Sequence, residues 1–314
     1  MVETPTVSFC ATNLNTVGRL ASSLASIDRI GSSLGAAFEV VVADGPSDDG
    51  ARKVLEDLAR SSDRFRLVAH TERNRGYGRR RAFEASRGAT IVPFDTSLVY
   101  DPLYGGLLRG YLALHTDRML FSEICALSRR SIEEVGGWRD LVGGEDIDLY
   151  SRIIHRYGVI AYPTATASSQ APQMSSAVRQ MRYVQGSRWR KLRRIYAVQR
   201  DQMIGANYRV HDLMLFNSAK PAATRFALWG FFSLCAVGAR FRTIRPIRAE
   251  QNNYLHFRES LLRSMSLGEY RQLDWAGPPA KLLLTSDEIR YLSEASPLWK
   301  EFGKEVDRYV GPKP

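Results

Sequence analysis

FEVVVADGPSDDG, residues Phe38–Gly50, decides the fold. Its first six residues form a near-continuous apolar run, interrupted only by Glu39. A short Val-rich run without alternation is the pattern of a strand covered on both faces. It ends at Asp44 and enters a turn of Gly, Pro, Ser and Asp, residues that favour tight turns for separate reasons. The same unit recurs on either side. Upstream, VSFC (Val7–Cys10) reads as a strand and Val17–Leu34 as a helix with apolar residues at helical spacing. Downstream, Ala51–Arg60 reads as a helix, FRLVA (Phe65–Ala69) as a strand, Tyr77–Ser86 as a helix and TIVPF (Thr90–Phe94) as a strand. Strand–helix alternation predicts an α/β fold: a mostly parallel sheet with helices on both faces.

Such sheets bind ligands beyond the carboxyl ends of their strands. Those ends are polar here: ATNLN after the first strand, DGPSDDG after the second and DTS after the fourth. Any one of them reads as an ordinary turn. Three on one edge point to a shared ligand cleft.

The composition bounds the rest. With 44% hydrophobic and 25% charged residues, the 314-residue chain folds into a globular core and has room for a large domain with an extension. Cys10, Cys125 and Cys235 follow no disulfide or zinc spacing, which fits a reducing compartment. The N-terminus shows no basic-then-apolar leader, so a cytoplasmic location is expected. The net charge of +11 is uneven, since Ser151–Arg248 holds 17 Lys and Arg against Asp201 and Asp212. That block suits a diphosphate, an anionic membrane surface or a nucleic acid, and it is also what a solvated basic face looks like.

The second half changes character. Ala165–Ser176 reads as a loop, and Ala177–Val210 as a basic stretch compatible with a helix. FALWGFFSLCAVGA (Phe226–Ala239) is the most apolar segment, bounded by Arg225 and Arg240. Its 14 uncharged residues fall short of the roughly 20 that span a bilayer, so a buried or in-plane helix is expected before a spanning one. Gln251–Pro314 is mixed polar and helix-compatible.

The densest chemistry lies in GGEDIDL (Gly143–Leu149), with Glu145, Asp146 and Asp148. Ile147–Tyr157 reads as a helix, which puts the acids at its N-terminal turn, where negative charge is favoured. One acid suffices to cap a helix. Three within four positions suggest a further task.

Five segments in order resemble the family 2 glycosyltransferases: ATNLN, VVADGPSDDGA, NRGYGRRRAFEASRGA, FDTS and GGWRDLVGGEDIDLYSRI. The resemblance covers about the first 160 residues. It implies a nucleotide-sugar-binding, Rossmann-like sheet of the A type, and transfer of a sugar from a nucleoside diphosphate sugar to an acceptor hydroxyl or phosphate, with inversion. The implied acceptor is a saccharide, a lipid-linked group or a phosphate-bearing molecule, as in polysaccharide or glycolipid biosynthesis. The implied donor site takes Asn13, Asn15 and Asp44 for base and ribose, Asn74 and Gly76 at a helix entrance, and one of Arg79, Arg80 and Arg81, with Arg80 the candidate. The family pattern after the fourth strand is Asp-x-Asp, whose last acid binds Mg2+ or Mn2+. Here Asp95 matches the first acid and Ser97 stands at the metal-ligand position, with Asp101 shortly beyond. A hydroxyl is a poorer ligand for a hard cation than a carboxylate, so a divalent metal at Asp95 is in question. The resemblance places the general base at Asp146, with Glu145 as runner-up, and Trp138 and Asp148 on the acceptor side. Gln185-Gly186-Ser187-Arg188-Trp189, 39 residues past Asp146, is similar to the Gln-x-x-Arg-Trp motif of processive members. It implies Arg188 for the donor phosphates and Trp189 for a sugar face.

The expected organisation is a catalytic domain over residues 1–210, with a donor half to about 100 and an acceptor half beyond, followed by a mainly helical region over 211–314. The basic block and the apolar segment suggest contact with the inner membrane face. Two other readings compete. A nucleotidyltransferase would carry a Gly-rich, Lys-containing loop after the first strand, where this chain has ATNLNTVGR. A degenerate fold serving as a binding module for nucleic acid or membrane would use the basic block, but leaves the acidic cluster unexplained.

Overall fold

In the computed structural model, residues 5–121, 124–161, 187–205, 208–217 and 220–245 are described. Strands β1 (Val7–Asn13), β2 (Phe38–Asp44), β3 (Phe65–Ala69) and β4 (Thr90–Asp95) alternate with helices α1 (Val17–Ser32), α2 (Ala51–Ser61) and α3 (Arg75–Ala85). After α4 (Leu103–Ala113) come β5 (Met119–Phe121), β6 (Leu127–Ser128), α5 (Arg129–Glu134), α6 (Glu145–Tyr157) and β7 (Val159–Ala161). Helices α7 (Arg188–Gly205), α8 (Val210–Phe216) and α9 (Ala222–Arg240) complete the described chain.

The main sheet has the order β3-β2-β1-β4-β6. β1, β2, β3 and β4 run parallel, and β6 pairs antiparallel with β4. β5 and β7 form a separate parallel pair. The alternation of side chains explains how both faces are covered. Val7, Phe9 and Ala11 of β1, with Val40 and Val42 of β2, pack into a core with α1, α2 and α4. Cys10, Val41, Ala43 and Ile91 face the other way, against α3 and α6. The mostly parallel α/β sheet expected from the sequence is the fold observed.

Glu39, the charge inside the β2 run, is buried and fully engaged. It accepts from Ser8 Oγ at 2.7 Å, from the Arg87 backbone N–H at 2.5 Å and from Arg87 Nε at 3.1 Å. A buried charge is tolerated when paired and hydrogen-bonded in this way.

The chain steps outward from β1 to β2 and β3, then crosses back to place β4 on the other side of β1, so the strand order reverses at β1. That is the switch point at which open α/β sheets form their crevice. α6 begins at Glu145, two residues before the expected start, because left-handed Gly144 (φ 77°) enters the helix directly.

Within the expected basic stretch Ala177–Val210, Arg188–Gly205 is a helix, and residues 177–186 lie outside the described residues. The loop at Ala165–Ser176, Gln185 and the segment Gln251–Pro314 lie outside the described residues. The apolar segment lies within α9, whose composition and length are sufficient to cross a membrane. It is not a buried helix. Phe232 and Cys235 pack inward with Met203 and Leu213, while Phe226, Trp229, Leu234 and Val237 are exposed along the opposite side.

Candidate active site

The strand ends are cross-braced before any ligand is considered. Asp44 is fully buried at the end of β2, and its Oδ1 accepts from Asn13 Nδ2 and Ser47 Oγ, each at 2.7 Å. Its Oδ2 pairs with Arg52, which also donates to the Asp44 and Gly45 carbonyls at 3.0 and 2.7 Å. Asn13 Oδ1 accepts from the hydroxyls of Thr16 and Thr96. Asn15 takes a left-handed turn (φ 55°), accepting from Asp48 N–H at 2.9 Å and donating its own N–H to Ser47. Asn13 lines the cleft, and Asp44 is buried and braced behind it.

The cleft itself lies over these ends. Thr12, Asn13 and Gly45 form its floor, and His70, Glu72, Arg73, Asn74 and Arg75 its wall. Arg194 of α7 closes another side, and its guanidinium donates to the Arg73 carbonyl at 2.6 Å. Both ring nitrogens of His70 lack hydrogen-bond partners. Burial, opposed by Asp44 and reinforced by Arg52, lowers the pKa of His70 and favours the neutral ring.

Helix α3 joins the cleft to the acidic loop. Asn74 caps it, accepting from Tyr77 N–H at 3.2 Å and donating to the Asp140 carbonyl at 3.3 Å. Gly76 is required by contact, since a Cβ there would lie 2.1 Å from the Arg139 carbonyl oxygen. Arg79 is buried and donates to the carbonyls of Cys10 and Phe94 at 3.3 and 2.8 Å, and to Asp146 Oδ2 at 3.2 Å. Burial opposes its charge, but Asp146, Tyr150 and Glu145 together prevail and hold the guanidinium protonated. Of the three successive arginines, Arg79 is thus the one built into the site. Arg80 pairs with Asp140 at 3.0 Å and Arg81 with Glu84 at 3.0 Å, both on the outer side.

Two acids of the helix start and one at the end of β4 face Arg75 and Arg79. Asp146 stands at the start of α6 with its side chain 23% exposed, and its Oδ1 accepts from Trp138 Nε1 at 3.0 Å. Glu145 is buried against Arg75 Nε at 3.0 Å. Burial raises the Glu145 pKa, with Arg75 opposing and Asp146 adding to the rise. Asp95 closes β4, and its Oδ1 accepts the N–H and hydroxyl of Ser97 at 2.9 and 2.7 Å. Burial pushes the Asp95 pKa up, but Arg75, the two Ser97 hydrogen bonds and Arg79 prevail and lower it.

The remaining expected site residues are placed differently. Asp148 is fully buried, clamped by Arg139 (Nε 2.9 Å) and Arg152 (2.7 Å), so it organises the loop. Trp138 is also buried, with its ring against Phe83, and reaches the site only through its N–H to Asp146. Arg188 and Trp189 lie on the exposed first turn of α7; the residue of that helix lining the cleft is Arg194. Sequence reasoning missed Arg75, Arg194 and His70. Arg75 was visible in the NRG segment, but nothing in its spacing marked it above the arginines that follow.

The two glycines of GGEDIDL serve close packing. A Cβ on Gly143 would lie 2.8 Å from Val198 of α7, and one on Gly205 would lie 2.6 Å from the Gly144 carbonyl. Buried Asp201 of α7 accepts from Val142 N–H at 2.9 Å and pairs with Arg200 at 2.7 Å.

The residues around Asp95 do not fit a divalent cation well. Hard cations seek several oxygen ligands, chiefly carboxylates. Among the described residues, no group of three or more His, Cys, Asp or Glu side chains converges as a metal cage. Glu145 and Asp146 each face an arginine, and Asp95 lies within the field of both Arg75 and Arg79. Ser97, at the position where the resemblance expects an acid, spends its hydroxyl proton on Asp95.

A mostly parallel sheet reversing at β1 thus carries a cleft over its strand ends, with an acidic helix terminus beside it. Residues 9–111 match the family model described as glycosyl transferase family 2. A stretch of 66 residues is 46% identical to glycosyltransferase AglD of Haloferax volcanii, covering 21% of this chain and 11% of that protein. The likeness therefore spans about a tenth of that relative's length. Among solved structures, mannosyltransferase PcManGT from Pyrobaculum calidifontis, in complex with GDP-Man and Mn2+, aligns at 15% identity and a TM-score of 0.48, covering 76% of this chain and 88% of that one. Glucosyl-3-phosphoglycerate synthase from Mycobacterium tuberculosis aligns at 18% identity and a TM-score of 0.40, covering 50% and 69%.

Proposed function

We infer that the protein transfers a sugar from a nucleoside diphosphate sugar to an acceptor hydroxyl or phosphate, with inversion and with Asp146 as general base. The observation that carries this is the placement of Asp146. It is the partly exposed acid of the cluster, held by Trp138 on one oxygen and Arg79 on the other, beside a cleft built from strand ends. A carboxylate so fixed can accept the proton of an acceptor hydroxyl as that oxygen attacks the anomeric carbon. General-base help of this kind contributes roughly 10²–10⁴ in rate. Glu145 is buried against Arg75 and is the weaker candidate.

The donor enters over β1–β3 and the acceptor approaches α6, so residues 1–210 form the catalytic domain and 211–314 an appended region. The acceptor is a saccharide, a lipid-linked group or a phosphate-bearing molecule. The exposed apolar side of α9 and the basic flanks support a cytoplasmic enzyme that works against the inner membrane face.

The test is a nucleotide-sugar turnover screen, with and without Mg2+ and Mn2+, beside Asp146→Asn. Turnover of at least one nucleotide sugar is expected, with a fall of 10²-fold or more in the variant. Full activity in Asp146→Asn would refute the base, and no turnover or binding of any nucleotide sugar would refute the reaction.

A further inference from the structure

Arg75 faces two ways. It lines the cleft over the strand ends together with Arg73 and Arg194. On its other side it pairs with Glu145 at 3.0 Å, next to Asp146 in sequence and directly before it on α6. A donor with its nucleoside in the cleft and its sugar toward Asp146 must pass its diphosphate across Arg75. The side chain is 31% exposed, so a ligand can reach it.

The charge balance at this crossing is unusual for a site built around a cation. Asp95, Glu145 and Asp146 supply the negative charge, and Arg75 and Arg79 already stand against it. A divalent ion would meet two fixed guanidinium groups and a ligand set in which Ser97 takes the place of an acid. A diphosphate meets the same arrangement favourably. Guanidinium groups bind phosphate oxygens through paired N–H donors, and each such bond is charge-assisted. Arg79 cannot fill this role, because it is buried and committed to two carbonyls and Asp146. Arg194 approaches from α7, two turns beyond its exposed start, and places a second guanidinium on the cleft wall.

We propose that the donor diphosphate is held by Arg75, with Arg194 as its partner across the cleft, and that this protein binds nucleoside diphosphates without a divalent metal. The proposal rests on the glycosyltransferase reading and deepens it by naming what neutralises the donor. Arg75 is a binding residue here, and its pairing with Glu145 keeps the guanidinium in place before the donor arrives. Serine at position 97 is then part of the same design, because a second acid beside Asp95 would attract an ion that Arg75 makes unnecessary.

The experiment is calorimetric titration of the full chain with UDP, GDP and the matching nucleosides, first in EDTA and then with Mn2+. At least one diphosphate is expected to bind in EDTA, with a dissociation constant within threefold of that in Mn2+. Arg75→Gln is expected to weaken the diphosphate at least tenfold and the nucleoside less than twofold, a split that general damage to the cleft would not give. Arg194→Gln, on the rim of the cleft, provides a second variant should Arg75→Gln fold poorly, and should weaken the diphosphate at least threefold. Ser97→Asp should make diphosphate binding respond to Mn2+. Binding that is lost in EDTA and restored by Mn2+ overturns the proposal while leaving the glycosyltransferase reading intact. Undiminished diphosphate binding in Arg75→Gln also overturns it. Failure of every nucleoside diphosphate to bind under either condition overturns the proposal and the donor reading together.

Discussion

Trp138 donates its indole N–H to Asp146 Oδ1 at 3.0 Å, so the residue closing the Gly136-Gly137 turn also aims the carboxylate assigned as base. Similarity of sequence places Trp138 on the acceptor side. The structure gives it an indirect part, buried beneath the site with one polar atom directed at the acid. Trp138→Phe keeps the ring packing against Phe83 and removes only that donor. A hydrogen bond to a charged group is worth about 1.5–3 kcal/mol, so kcat should fall about tenfold or more. The KM for the donor should change little. Steady-state kinetics at saturating donor checks this, and an unchanged kcat would remove Trp138 from the machinery.

Asp148 gives the opposite expectation. Its carboxylate is fully buried between Arg139 and Arg152, and Arg152 also holds the Val135 and Gly137 carbonyls of the turn that carries Trp138. Asp148→Ala leaves two guanidinium groups without their counter-charge. Breaking a buried pair from one side costs about 3–5 kcal/mol, so thermal unfolding should move down sharply. If the variant unfolds like the wild type and only transfer is lost, Asp148 acts on substrate after all.

The contrast between these two residues shows what a sequence discloses and what it does not. FEVVVAD and its neighbours disclose strands because burial on both faces demands apolar residues at every position, and that demand is local. β5 and β7 are apolar too, but with three residues each they are too short for the run to mark them, and they are defined by pairing with each other and by the bridge from Leu120 to Ala126. In the site, the acidic cluster is legible because three carboxylates within four residues are costly without a purpose. Which acid is reachable is set by Arg139 and Arg152, which lie 9 residues before and 4 after Asp148. Arg75 shows the same limit, since its partner Glu145 is brought to it by packing of α3 against the loop after Gly137.

Glu145 should make stability depend on pH in a defined direction. Burial raises its pKa above the ordinary value of 4.5, against the pull of Arg75. A carboxyl whose pKa is raised on folding favours the folded state when protonated. Its contribution is fully present below about 4.5 and is lost as the pH rises through the higher folded value. Glu145→Gln removes that loss, so the stability of the variant relative to wild type should rise between pH 4.5 and pH 7. Asp95 works the other way: its lowered pKa stabilises the fold above about 3.8 and withdraws that support as the pH falls further. Chemical denaturation across this range separates the two. A Glu145→Gln difference that grows as the pH falls would contradict the assignment.

Helix α9 permits a last prediction, which concerns where the enzyme works. Phe226, Trp229, Leu234 and Val237 fall on one side at spacings of three, five and three, and each is more than half exposed. Phe232 and Cys235 hold the opposite side to α7 and α8. Exposed Lys220, Arg225, Arg240 and Arg245 flank the apolar stripe. An apolar stripe bordered by basic side chains suits the boundary between headgroups and acyl chains of an anionic bilayer, where apolar burial and charge attraction add. The protein should therefore sediment with vesicles containing phosphatidylserine and much less with neutral phosphatidylcholine vesicles, and salt should weaken the binding. Phe226→Ser with Trp229→Ser should reduce the bound fraction several-fold while leaving nucleoside diphosphate binding unchanged, because neither residue lines the cleft. Equal sedimentation of wild type and double variant would show that this face is not what meets the lipid. Absence of sedimentation with either vesicle would place the acceptor in solution and leave the stripe to a protein contact.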